Sequence, residues 1–184
     1  MPRHFTRRSL LGTAAVAAVA GGLPSAARSA PPEADLAWIR LLIAAELLAV
    51  DFYTEFMSRL PASARSDARR ILADEKVHYR ALAQLISAFG GVPATRADIE
   101  FTYPSVRAPE IAFRIERLLT GAYVGAAVAI QDESLRLPIA QIAVNETQHA
   151  AVWSRMEGHG VVGSAFGPAL SLAEAAGVLG LYEE

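Results

Sequence analysis

Asp74-Glu75-Lys76-Val77-His78 and Asn145-Glu146-Thr147-Gln148-His149 are the stretches on which the fold turns. Each holds a glutamate and a histidine three residues apart, which on a helix places both side chains on one face about one turn apart. Only three histidines lie beyond residue 30, and two of them occur in this spacing. One such pair is commonplace. Two pairs, each near the middle of a segment reading as an inward-facing helix, point to a carboxylate–imidazole cluster inside a bundle. The third, His159, lies among glycines and reads as an exposed loop residue.

Working outward, the flanking segments read as helices. From Ala34 to Leu60 the chain is apolar without β alternation and contains neither Gly nor Pro, so one long helix is predicted. Leu60-Pro61-Ala62-Ser63 breaks it. A second helix runs from about Ser63 to Phe89 and stops at Gly90-Gly91-Val92-Pro93. Residues 90–108 show no helical period. A third helix starts near Pro109, where a missing N–H costs nothing, and runs to about Leu135. Pro138 opens a fourth that reaches about Glu157. A short helix from Ser171 to about Leu179 closes the chain. Two short connections around one long one predict an all-α four-helix bundle with a single crossover between helices two and three, plus a short C-terminal helix. The domain is placed at residues 31–158, with a tail at 159–184.

Further carboxylates are stranded in apolar sequence. Glu46 is the only charge within residues 41–50, surrounded by apolar residues on every helical face. A buried carboxylate must be neutralised, paired or bound to metal. Helix three offers Glu110, Glu116 and Glu133, and an internal repeat chooses among them. Glu46 precedes Glu75 by 29 residues and Glu116 precedes Glu146 by 30, while Tyr53 and Tyr123 each follow their glutamate by seven. The pattern Glu-x6-Tyr then Glu-x-x-His is thus given twice, and Glu110 and Glu133 do not fit it. Gly121-x-x-x-Gly125 predicts close helix approach.

The proposed ligand set is Glu46, Glu75, His78, Glu116, Glu146 and His149, with Tyr53 and Tyr123 behind it. Four carboxylates balance two divalent ions, and two neutral imidazoles leave the site uncharged, which a low-dielectric core tolerates. An oxygen-rich set suits two iron or manganese ions rather than a structural zinc. The competing reading is a metal-free network of Glu–His pairs, in which crowded carboxylates would have to hold protons. With no cysteine in the chain, thiolate and iron–sulfur sites are excluded.

The N-terminus reads as an address. Thr6-Arg7-Arg8-Ser9-Leu10-Leu11 resembles a twin-arginine export signal. The apolar run from Leu10 to Leu23 is too short and weak for a stable membrane anchor, and Ser25-Ala26-Ala27 offers a cleavage site. Residues 1–30 are therefore set apart as a signal peptide, and a periplasmic or secreted location is predicted. The full chain carries a net −2. Cleavage after Ala27 removes Arg3, Arg7 and Arg8, leaving 14 basic against 19 acidic residues, or −5. That balance argues against nucleic acid as a partner.

Together these residues resemble the ferritin-like superfamily, whose members include ferritin, bacterioferritin, rubrerythrin and manganese catalase. More narrowly, Glu46-x6-Tyr53, Glu75-x-x-His78, Glu116-Arg-Leu-Leu-Thr-Gly-Ala-Tyr-Val-Gly-Ala-Ala and Glu146-Thr-Gln-His149-Ala-Ala-Val-Trp are similar to exported ferritin-like domains related to desiccation-related proteins. The resemblance covers residues 34–157. It implies that Glu46 and Glu116 are terminal ligands, that Glu75 and Glu146 bridge two metals, and that His78 and His149 cap one each. It also implies redox chemistry of peroxidase, catalase or ferroxidase type, on a small-molecule oxidant or ferrous iron. Storage ferritins have no histidine where His149 stands, which argues against an iron-storing cage. No cysteine-rich electron-transfer module is present, so peroxide reduction would require an external electron donor. A non-enzymatic, stress-protective metal-binding domain is the alternative, and the oligomeric state, monomer or homo-oligomer, is left open.

Overall fold

The computed structural model describes residues 31–160 and 167–184, which form five α-helices and no β-strand. They are α1 (Glu33–Phe56), α2 (Arg65–Ala88), α3 (Ala108–Ala129), α4 (Glu133–Met156) and α5 (Leu172–Leu179). The export signal expected in residues 1–30 lies outside the described residues. α1 packs on α2, α3 packs on α4, and α1 joins the two pairs by lying against α3. No described helix is long and apolar enough to cross a membrane.

The core is continuous from Ile39, Leu42 and Ile43 on α1 through Leu82 and Ile86 on α2 to Ile111, Ile115 and Leu119 on α3. Trp153, Tyr53, Tyr123 and Phe52 are its largest fully buried side chains. α1 and α3 are buried on most of their circumference, whereas α2 buries little more than one stripe. The all-round apolar segments therefore sit at the centre and the amphipathic helix covers them.

The crossover between α2 and α3 is held by Asp51 of α1. The buried Asp51 carboxylate takes the Arg96 guanidinium and accepts a hydrogen bond from the Tyr103 hydroxyl at 2.7 Å. Tyr103 also packs edge-on against Phe56, with ring centroids 4.8 Å apart. A connection without helical period is thus fastened to the bundle by one buried acid with two donors.

Two sequence expectations need correction. Helix three does not reach Leu135, and helix four does not begin at Pro138. α3 ends at Ala129 and α4 begins at Glu133, with Pro138 inside it. Asp35, fully buried on α1, accepts hydrogen bonds from the backbone N–H groups of Gln131 (3.0 and 3.1 Å) and Asp132 (2.8 Å). These amides cannot then continue the α3 ladder. Asp132 restarts the chain as an N-cap, its side chain accepting from Ser134 N at 2.9 Å. Pro138 forfeits one helical bond, the one that would reach the Ser134 carbonyl.

At Gly121 and Gly125 the close approach is shared: the chain entering α5 lies over both, and Trp38 of α1 also reaches Gly125, 3.2 Å from a Cβ built there. Leu170 N–H donates to Gly121 O at 3.0 Å, and a Cβ built on Gly125 would lie 1.8 Å from the Leu170 carbonyl oxygen. Gly125→Ala is expected to lower stability by about 1–3 kcal/mol through overpacking, a fall of roughly 2–12 °C in Tm for a chain of this size. A thermal melt within 1 °C of wild type, on the order of the noise of such measurements, would show that the contact is not tight.

Candidate metal centre

Each predicted ligand sits on a different stretch of the bundle core. Glu46 comes from α1, Glu75 and His78 from α2, Glu116 from α3, and Glu146 and His149 from α4. All four glutamates are 0% exposed, and His78 and His149 are buried. Desolvating one carboxylate costs several kcal/mol, against a total folding stability of about 5–15 kcal/mol. Four such groups cannot be incidental.

The six side chains meet in two overlapping groups. Glu46, Glu75, His78 and Glu146 form one, and Glu75, Glu116, Glu146 and His149 form the other, with one ligand atom of each residue within 4.8 Å of the rest of its group. Glu75 and Glu146 belong to both. Each divides its oxygens between the two imidazoles. Glu75 Oε2 is 3.3 Å from His78 Nδ1 and Oε1 is 2.9 Å from His149 Nδ1. Glu146 Oε1 is 2.8 Å from His78 Nδ1 and Oε2 is 3.4 Å from His149 Nδ1. The imidazole rings lie nearly parallel, 26° apart, with centroids 6.1 Å from each other.

Tyrosines reach across the bundle behind the outer carboxylates. Tyr53 of α1 donates its hydroxyl hydrogen bond to Glu116 Oε1, and Tyr123 of α3 donates to Glu46 Oε1. Helical side chains lean toward the N-terminus, which carries each phenol back to the level of the opposite glutamate. The other oxygens of these carboxylates, Glu46 Oε2 and Glu116 Oε2, are buried without a hydrogen-bond partner, as are both oxygens of Glu146. Glu146 Oε1 lies near His78 Nδ1 but off its N–H direction, so proximity there is not a hydrogen bond. One ring N–H cannot serve several surrounding carboxylates at once. Buried carboxylate oxygens without hydrogen-bond partners, converging on two imidazole nitrogens, are what a cation-binding site presents, so the donor set fits a metal.

Electrostatics of the protein groups agree. Burial, then the neighbouring Glu75, push the Glu46 and Glu116 carboxyls well above the usual carboxylate range. For Glu75 burial acts in the same sense, but hydrogen bonds from His149 and His78 overcome it and bring it down to about 2. Burial lowers the pKa of His78, but Glu146 and Glu75 outweigh it and raise it to about 9. His149 is raised further, burial being overcome by Glu116, Glu146 and Glu75. Without a cation, protons must compensate the carboxylates.

Two residues with a part in this geometry were not singled out from the sequence. Asp74, half exposed, places Oδ2 3.4 Å from His149 Nε2, the ring nitrogen facing away from the cluster. Trp153 donates its indole N–H to the Tyr53 oxygen at 2.6 Å. The available signals were the acid directly before Glu75 and an aromatic seven residues after Glu146. Glu110 pairs with Arg114 on the α3 surface, and Glu133, at the exposed start of α4, lies 4.0 Å from Arg136. His159 is exposed, its ring 5.2 Å from that of Phe113.

Comparison with known proteins agrees with the fold. A solved structure, a conserved hypothetical protein, rv2844, from Mycobacterium tuberculosis, superposes with a TM-score of 0.62 at 18% identity, covering 73% of this chain and 97% of that one. At that identity the likeness shows the fold alone. No curated protein matches the sequence. The family model of the ferritin-like domain matches residues 34–159, the span of all six buried cluster residues and both tyrosines, and the chain belongs to that family.

Proposed function

We propose that this protein binds a dinuclear, carboxylate-bridged centre of iron or manganese and uses it for redox chemistry on oxygen, peroxide or ferrous iron. The observation that carries the reading is the division of Glu75 and Glu146, each with one oxygen toward each imidazole. In this reading Glu75 and Glu146 bridge, Glu46 and Glu116 each hold one ion, and His78 and His149 cap one each. When bound, such a pair of ions supplies one-electron steps that can be taken together.

The remaining roles belong to the chain. The tyrosine hydroxyls hold one oxygen of each outer carboxylate and leave the other free to bind. The apolar helices around the cluster keep water out and strengthen every charge interaction within it. Peroxide reduction at this site would draw its electrons from an external donor, since the chain has no cysteine for a sulfur-based relay. The arginine pair Arg7-Arg8 supports export, and the twin-arginine route as this chain would use it carries the protein folded.

The test is to recover the protein from the extracytoplasmic fraction of its host, quantify metal, and follow its spectrum during cycles of dithionite and peroxide. About two iron or manganese ions per chain and a reversible spectral change are expected. Recovery only from the cytoplasm would reject export. Bound metal that never changes oxidation state would reject the redox role and leave a structural site.

A further inference from the structure

Two differences between the halves of the internal repeat bear on the ligands, and both fall on one side of the cluster. Matching Glu75 with Glu146 pairs Asp74 with Asn145 and Leu82 with Trp153. Asp74 stands against the outward nitrogen of His149, at 3.4 Å. A carboxylate in that position fixes the ring's orientation and makes the inward nitrogen a stronger donor. The equivalent neighbour for His78 would be Asn145, which is neutral, and no hydrogen bond joins the two among the described residues. The second difference acts on the outer carboxylate. Trp153 donates to Tyr53, and Tyr53 donates to Glu116, so a three-membered chain immobilises that ligand. Tyr123 holds Glu46, but the position matching Trp153 is Leu82, which has no donor.

From these two differences we infer that the metal positions are unequal, the Glu116–His149 position binding tightly and first, the Glu46–His78 position binding second and exchanging more readily. The inference rests on the dinuclear reading above. Its physical basis is preorganisation. A ligand already locked in its binding geometry loses less freedom when the ion arrives, and Asp74 and Trp153 both act on the same half. Asp74 and Trp153 are positioning residues that act through His149 and Glu116.

The experiment is calorimetric titration of the metal-free full chain with Mn²⁺ alone. Wild type is expected to show two binding steps separated by about tenfold or more. Asp74→Asn, a change of one atom at a side chain 47% exposed, should weaken the first step by about 10- to 100-fold and leave the second within about twofold. Asn145→Asp adds a contact rather than removing one, so it keeps the test decisive should Asp74→Asn disturb folding, and it should tighten the second step and narrow the gap. Two equal steps in wild type overturn the inference while leaving the dinuclear reading intact. So does an Asp74→Asn effect confined to the weaker step or spread evenly over both. No Mn²⁺ binding at all overturns the dinuclear reading and the inference with it.

Discussion

Glu75→Ala is expected to abolish binding of both metal ions, whereas Glu46→Ala removes only one. The difference follows from where the carboxylate oxygens go. Glu75 and Glu146 are common to both ligand groups, while Glu46 and Glu116 belong to one each. Removing Glu75 strips each position of a charged donor and leaves Glu46, Glu116 and Glu146 facing one another. Two unit charges about 4.8 Å apart repel by roughly 3–4 kcal/mol at an effective dielectric of about 20, so Glu46 and Glu116, whose pKa values burial already raises, would hold protons rather than gather an ion. Removing Glu46 leaves the Glu75, Glu116, Glu146 and His149 group whole. Metal analysis of the two purified variants distinguishes these outcomes. A Glu75→Ala protein that keeps one full equivalent would show that this carboxylate serves a single position.

Metal removal is the second large effect, and its size should depend on pH. An ion present at a thousandfold excess over its Kd stabilises the folded chain by about 4 kcal/mol. Two ions therefore contribute roughly 8 kcal/mol, or about 16–32 °C in Tm for a chain of this length. In the metal-free protein the Glu46 and Glu116 carboxyls are raised above their ordinary 4.5, so the folded chain keeps protons that the unfolded chain gives up above that pH. Folding is penalised increasingly as pH rises past 4.5. His78 is raised from 6.5 to about 9, so its stabilising contribution is whole below 6.5 and is lost as pH approaches 9. Both terms have the same sign: the metal-free protein weakens from mildly acidic to alkaline pH. Metal binding reverses this, because the ions displace those protons. Chelation should thus lower Tm more at pH 8 than at pH 5.5, pH values chosen to bracket, in round terms, about one unit inside that window. Metal uptake should release about four protons per chain, from Glu46, Glu116, His78 and His149. Calorimetry in buffers of differing ionisation enthalpy counts them. A release near zero would mean that the carboxylates and imidazoles are already deprotonated before the metal arrives.

The parts of this protein that could be read from sequence are those in which the chain contradicts its local surroundings. Glu46 stands out because an acid amid leucines and alanines has no local reason to be there. Glu116 becomes legible only through the repeat, since Glu110 and Glu133 are equally acidic and equally near. Long-range partners are another matter. The boundary between α3 and α4 is imposed by Asp35, 96 residues before Gln131, and within Ala129 to Pro138 only the capping residue Asp132 marks it. Pro138 is a strong local signal for a helix start, and it was overruled by a buried carboxylate on another helix. Asp74 and Trp153 carry only faint local signals for a similar reason. Each acts on a residue of a different helix, and such pairing is a property of the assembled bundle, not of a periodicity along one strand of sequence.

Asp35 has a consequence for the order in which the chain assembles. The α3–α4 turn takes its final shape only when the first helix of the domain is already in place to receive its two amides. Bringing together groups so distant along the chain carries a loop-closure entropy of about 4 kcal/mol, which local helix formation cannot offset. The hairpin of α3 and α4 can therefore form early only with a loose tip, and the tip locks last. The amides of Gln131 and Asp132 belong to a surface connection, where exchange with solvent is ordinarily fast. Here they should exchange as slowly as the bundle interior, releasing their hydrogens only when α1 departs.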